Sequence, residues 1–253
     1  MFHTDAAPSP GMAKPVALRA TIVVPTYNEA ENISRLVPEL LALPDRVNVL
    51  VVDDASPDGT GALADSFERD NPGRVTAIHR PGKLGLGTAY LAGFRAASEQ
   101  GAECVVTMDA DFSHHPRHIG ALLAGLANAD LVIGSRYVPG GQAVDSPSSR
   151  RALSRTANLI SRTLLGLRAR DVTAGYRAYR TALLTELPLE SIFSSGYSFL
   201  IETLYLVERG GWRVAEVPIQ FRDRTSGTSK ISRGEIAKAM YTVLRLAGRR
   251  LAG

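Results

Sequence analysis

The chain has 253 residues, 45% hydrophobic and 21% charged, an ordinary globular composition that allows one large domain, or a domain with an appendage. Its single cysteine, Cys104, excludes an internal disulfide, and no run reaches the roughly 18 apolar residues of a membrane-spanning helix. The net charge of +4 suits a phosphate-rich ligand or an anionic membrane surface. Residues 1–19 are Ala- and Pro-rich, without the apolar core of a signal peptide, and read as a disordered tail. From Ala20 strands and helices alternate. "ATIVVPTY" and "VNVLVVDD" are short, β-branched and apolar, as buried parallel strands are. Between them Ile33, Leu36, Val37, Leu40 and Leu41 recur at helical spacing. "SPDGTGALADSFERD" is a turn feeding a helix, "VTAIH" a third strand, Thr88–Glu99 a helix and "ECVVTMD" a fourth strand. Pro116–Ala127 reads as a helix and "DLVIGSRY" as a fifth strand. This order predicts an α/β fold, a doubly wound and mostly parallel sheet with helices on both faces.

After Tyr137 the pattern changes. "VPGGQAVDSPSS" reads as a loop. Residues 150–168 form a basic amphipathic helix with Leu153, Ala157, Ile160 and Leu164 on one side. "WRVAEVPIQF" is a late strand, and residues 231–252 a second basic amphipathic helix. In the latter Ile236, Met240, Val243, Leu244, Ala247 and Leu251 form a stripe among Arg233, Lys238, Arg245, Arg249 and Arg250. Such a helix lies on a membrane surface or packs its stripe on the protein's own core.

Ligands of doubly wound sheets bind beyond the carboxyl ends of the strands. The first strand ends in Pro25, Tyr27, Asn28 and Glu29, the second in Asp53 and Asp54, the fourth in Asp109 and Asp111, the fifth in Ser135 and Arg136. Asp53 and Asp58 are equally readable as helix caps. Asp109 and Asp111 are one residue apart and repel unless a cation joins them. Their hard oxygens, without a calcium-hand spacing, suit Mg2+ or Mn2+ that also binds a substrate diphosphate. His114 and His115 read as a surface pair at a helix start rather than ligands. Glu202, in the apolar "YSFLIETLYLV", is a core-edge polar residue or a base.

"VVPTYNEAENI", "VVDDASPDGT", "GKLGLGTAY", "MDADFSHHP" and "GSRY", in this order, resemble family-2 glycosyltransferases of the GT-A fold. With "FRDRTSGTSK" they look more narrowly like dolichol-phosphate (polyprenol-phosphate) mannosyltransferases, from about Ala20 to Lys230. The resemblance implies a GT-A domain over residues 20–230 followed by the helix of 231–253. It implies that Pro25, Tyr27 and Glu29 line the nucleotide pocket and that Val52 and Asp54 contact base and ribose. Asp109, Ala110 and Asp111 would form the D-x-D element, the two carboxylates holding the divalent cation. Some relatives carry Gln where this chain has Ser113, a weaker ligand. Arg136, Arg224 and Lys230 match the cations around the diphosphate and the acceptor, with Asp109, Asp111 and Arg136 at the chemistry. Lys230 stands out because the chain otherwise prefers Arg; Lys83, in a Gly-flanked loop, is noted for the same rarity, and Arg222 is a cation beside Arg224. Arg151 and Arg155 sit where an acceptor phosphate could be met, or are solvated.

The implied reaction is inverting transfer of mannose from GDP-mannose to polyprenol (dolichol) phosphate. The implied setting is peripheral, at the cytoplasmic face of a membrane, with room for a separate membrane-anchoring protein and no nucleic acid. A phosphate monoester needs no general base, its second pKa being about 6. The rival readings are a UDP-glucose-dependent glucosyltransferase of the same fold and a non-catalytic membrane-surface module.

Overall fold

A computed structural model describes residues 18–44, 46–222 and 233–252. Arg224 and Lys230 lie outside these residues, as do the side chains of Arg233 and Leu251. The strands are β1 (Ala20–Thr26), β2 (Asn48–Asp53), β3 (Val75–His79), β4 (Cys104–Thr107), β5 (Leu131–Ser135), β6 (Gln142–Val144), β7 (Arg177–Arg180), β8 (Val214–Pro218) and β9 (Gln220–Arg222). The helices are α1 (Ala30–Leu41), α2 (Thr60–Asp70), α3 (Leu86–Glu99), α4 (Ile119–Gly125), α5 (Ser148–Leu165), α6 (Thr181–Glu186), α7 (Ser198–Arg209) and α8 (Arg233–Ala252).

Seven strands form one sheet in the order β3-β2-β1-β4-β7-β5-β8, parallel except for β7, which runs antiparallel to both β4 and β5. Side chains alternate across the sheet and divide the core in two. Val23, Leu50, Val105 and Ile133 face α3 and α7, while Ile22, Val49, Val51 and Val106 face α1 and α4. Helix α3 comes in close because Gly93 has no side chain, since a Cβ there would overlap Val23 Cγ1. Cys104 packs in the second core half as a small apolar group, and burial pushes its thiol up to about 12.

Three features depart from the sequence reading. The predicted helix from Pro116 opens with a 3-10 turn over Pro116–His118 and becomes α4 only at Ile119. The supposed loop after Tyr137 contains β6, which pairs with β9 in a separate ribbon. Strand β7 has no counterpart in that reading. Its "RAYR" sequence hides a buried Arg177, whose guanidinium donates to the carbonyls of Val172, Ala174 and Leu200.

Helix α5 turns Asn158, Ser161 and Leu165 inward and leaves Leu153, Leu159 and Leu164 exposed. Helix α8 is split. Val243 and Leu246 are buried against the core, while Ile236, Met240, Tyr241 and Leu244 face outward. Phe193 sits under the guanidinium groups of Arg245 and Arg249, at 3.9 and 5.1 Å from its centroid. Arg250 donates to Leu164 O at the carboxyl end of α5, where a cation also suits the helix dipole.

Candidate active site

The carboxyl ends of β1, β2, β4 and β5 share one rim, because these strands are mutually parallel. The antiparallel β7, between β4 and β5, adds its amino end, so the loop of residues 171–176 enters the same rim. Pro25 and Val52 are register partners on neighbouring strands, which places these two nucleotide-pocket candidates side by side.

The loops after β1 and β2 are latched together. Asn28 N donates to Ser56 Oγ (2.9 Å), Glu29 N to Thr60 Oγ1 (3.0 Å) and Ala30 N to Asp58 Oδ2 (3.1 Å). Asp58 also accepts from Thr60 N, so it serves as a cap to both helices. Burial opposes ionisation of Asp58, but its bonds from Thr60 and Ala30 outweigh it and lower its pKa. Asp53 is buried and accepts from Thr26 Oγ1 and Ser56 N, a packing role. Asp54 is also buried, with Arg80 Nη1 2.8 Å from Oδ1 and the Gly85 N–H on Oδ2. Glu29 Oε2 accepts from Asn32 Nδ2.

The D-x-D segment turns sharply. Phe112 is left-handed (φ 59°), Ser113 N donates to Asp111 Oδ1 at 3.1 Å, and Ala110 and Asp111 are buried. Asn28 and Ala55 are left-handed too, so each of three rim loops holds a non-glycine residue in a costly conformation, as functional loops often do. His114 is no surface residue. It is 3% exposed, stacks on Tyr176 at 4.9 Å and meets Phe221 edge-on. Its Nδ1 accepts from Asp109 N at 3.0 Å, and burial lowers its pKa, so the neutral ring props the D-x-D backbone. His115 is half-buried and accepts from Arg117 N.

No group of three or more His, Cys, Asp or Glu among the described residues could by itself hold a metal. The donor set nonetheless fits a hard divalent cation that takes its remaining ligands from a diphosphate and water. The two acidic groups supply hard oxygens, and the buried Ser113 Oγ beside them has no partner among the described residues.

Arg136 is held by a residue that sequence reasoning missed. Asp171, wholly buried, takes Arg136 Nε at 2.8 Å, Nη2 at 2.7 Å and the backbone N at 2.9 Å. Tyr137 and Phe221 flank the guanidinium, each ring centroid 5.2 Å away. Asn158 of α5 fixes the Asp171 loop by accepting from Val172 N at 2.7 Å. The only signal for Asp171 was an acidic residue ahead of an unrecognised strand. Beyond Arg136 opens a cavity of about 560 Å³ whose lining includes Arg155, Arg162, Arg170, Tyr137 and Asn158, with no acidic side chain among the described residues. Arg162 Nε is buried there without a partner among the described residues. Glu202 is a buried loop clasp, accepting from Ser194 N at 2.9 Å.

This geometry has known counterparts. Residues 21–187 match the family model "Glycosyl transferase family 2". The polyprenol monophosphomannose synthase of Mycolicibacterium smegmatis is 46% identical over 239 residues, covering 94% of this chain and 90% of that protein. The undecaprenyl-phosphate mannosyltransferase of Micrococcus luteus is 46% identical over 228 residues, 90% of this chain and 93% of that protein. Among solved structures, glucosyl-3-phosphoglycerate synthase from Mycobacterium tuberculosis with Mg2+ and UDP aligns at TM-score 0.68 and 22% identity, covering 95% of this chain and 85% of that one. The same enzyme with Mn2+, UDP and phosphoglyceric acid aligns at TM-score 0.66 and 21% identity, over 91% and 79%. The fold is GT-A, and the chain belongs to glycosyltransferase family 2.

Proposed function

We propose that this enzyme transfers mannose from GDP-mannose to a polyprenol phosphate, with inversion, at the cytoplasmic face of a membrane to which it binds peripherally. One observation carries the reading. The clamped Arg136 opens onto an arginine-lined cavity with no acidic side chain among the described residues of its lining, and the helix on its wall, α5, turns leucines outward. An anionic head on an apolar tail matches that arrangement of charge and apolar surface. Both 46%-identical relatives are named for mannosyl transfer to polyprenyl phosphates.

In the reaction an acceptor phosphate oxygen attacks the anomeric carbon, and the carbon–oxygen bond to the diphosphate breaks as GDP departs. The dianionic acceptor has no proton to lose, which fits a rim where Glu202 is a structural clasp. Asp109 and Asp111 would hold a divalent cation, which neutralises charge on the leaving diphosphate. Arg136, fixed by Asp171, faces the growing charge in a set geometry and needs no reorganisation. The arginines of the cavity hold the acceptor phosphate against its repulsion by the donor.

A donor panel tests this. Purified protein with polyprenol phosphate, Mg2+ or Mn2+ and radiolabelled GDP-mannose, UDP-glucose or UDP-mannose should label the lipid only from GDP-mannose. Labelling from UDP-glucose instead would assign a glucosyltransferase. No labelling from any donor would favour a recruiting module.

A further inference from the structure

The loop between α5 and β7 is framed by side chains, which accept the backbone N–H of every residue from 168 to 173. Glu208 of α7 takes Arg168 N at 2.8 Å and Ala169 N at 3.0 Å. Glu216 of β8 takes Arg170 N at 2.8 Å and Asp171 N at 3.0 Å. Asn158 of α5 takes Val172 N at 2.7 Å and Thr173 N at 3.4 Å. Loop N–H groups are commonly left to water. Here two carboxylates on regular elements hold them by charge-assisted bonds, which are stronger and fix the backbone in place.

The two glutamates grip in the same way and differ in what they hold. Glu208 holds Arg168, whose side chain is exposed, and Ala169, which packs in the core. Glu216 holds Asp171, the clamp of Arg136, and Arg170, a wall of the arginine cavity. Glu216 lies within β8, in register with Ile133 of β5, the strand that ends at Ser135 beside Arg136. Cation and clamp therefore hang from neighbouring strands of one sheet, Arg136 from β5 and Asp171 from β8 through Glu216. Without that grip the Asp171 backbone would drift with its carboxylate still on Arg136, and the guanidinium would move with it.

We propose that Glu216 is a positioning residue for the transfer, setting Arg136 through Asp171 without touching substrate. The inference rests on the reading that Arg136 faces the departing diphosphate. Glu208 is its built-in control. Glutamine keeps the shape of either side chain but offers one acceptor oxygen, and its NH2 group opposes the second N–H. Glu216→Gln and Glu208→Gln thus loosen one loop by one chemical change, and both carboxylates line the same cavity of about 300 Å³.

Turnover at saturating GDP-mannose and polyprenol phosphate is compared for the native chain, the two glutamine variants, Asp171→Asn, and Asp171→Asn combined with Glu216→Gln. Glu216→Gln should slow turnover about tenfold, as a misplaced guanidinium does. Glu208→Gln should change it by less than about twofold, and so should Glu216→Gln on the Asp171→Asn background, because it acts through that carboxylate. An equal loss for the two glutamine variants, an undiminished rate for Glu216→Gln, or the full loss on the Asp171→Asn background overturns the proposal. Should a glutamine variant not fold, Glu216→Asp against Glu208→Asp makes the same comparison, since each keeps both acceptors one methylene short. If the native chain uses another donor, the donor assignment fails, yet the same rates with that donor still decide this inference. A native chain that transfers from no donor overturns both.

Discussion

At the scale of single residues, the site depends on side chains that hold other side chains. Asp171 fixes Arg136 through two side-chain bonds and a backbone bond. Removing one partner of a buried pair costs about 3–5 kcal/mol. Asp171→Asn keeps the shape and one acceptor, so a loss of about 3 kcal/mol is expected, measured by urea unfolding. Freed from its clamp, Arg136 should slow transfer by about a hundredfold. A folded variant with normal turnover would remove Asp171 from its positioning role. Tyr90 predicts the opposite sign for stability. Its ring packs with Phe94 and Phe199, but its hydroxyl is wholly buried without a partner among the described residues. Burial, then the charge of Asp109, raises its pKa, so it stays a neutral phenol. Tyr90→Phe should therefore stabilise the fold, by about 1 kcal/mol or more in the same unfolding measurement. A destabilised variant would mean the hydroxyl has a structural partner.

At the scale of elements, α8 answers a question that its sequence left open. A helical stripe can face the core or a membrane, and here the stripe is divided between buried and exposed residues. Val243 and Leu246 pack inward, while Ile236, Met240, Tyr241 and Leu244 face out beside the outward leucines of α5. Deleting the helix would therefore expose core, so surface substitutions are the sound test. Met240→Glu with Leu244→Glu should leave the fold intact and weaken flotation with anionic vesicles, most visibly at high salt where charge attraction is screened. Unchanged flotation would place the lipid-facing surface elsewhere. The same two helices show what the sequence could not carry. Their periodicity was plain, but it gives a stripe and no direction, and α5 turns Asn158 and Ser161 inward where leucines were the natural choice.

At the scale of the whole molecule, the succession of strands along the chain and the rim were legible because buried parallel strands are short apolar runs that end in polar residues. Four strand ends were read correctly onto one edge. Strand β7 was not, because Arg177 in "RAYR" reads as polar, and only tertiary packing reveals that carbonyls satisfy its guanidinium. Missing β7 also meant missing Asp171, which the antiparallel strand delivers to Arg136. His114 was misread for a related reason, since nothing in "SHHP" tells which ring turns inward.

Acid sensitivity also belongs to the whole fold. Burial, aided by Arg117, His115 and His114, lowers His118 to about 4 from an ordinary 6.5. The folded chain holds it neutral, so its contribution is complete above pH 6.5 and is lost as pH falls toward 4. The pKa values of His114 and His115 are lowered in the same sense. Thermal midpoints should fall across that window, and His118→Gln should flatten the decline. A midpoint constant from pH 6.5 to 4 would contradict it.

The acidic pair at the end of β4 is the proposed centre where cation and donor diphosphate meet. The direct measurement is the rate of mannosyl transfer from GDP-mannose to polyprenol phosphate against Mg2+ or Mn2+ concentration, for the native chain and folded Asp109→Asn and Asp111→Asn variants. The native rate should rise with the cation and vanish with chelator, and each variant should lose about 10²–10³-fold or more. Near-native turnover by either variant, or transfer indifferent to chelation, would contradict it.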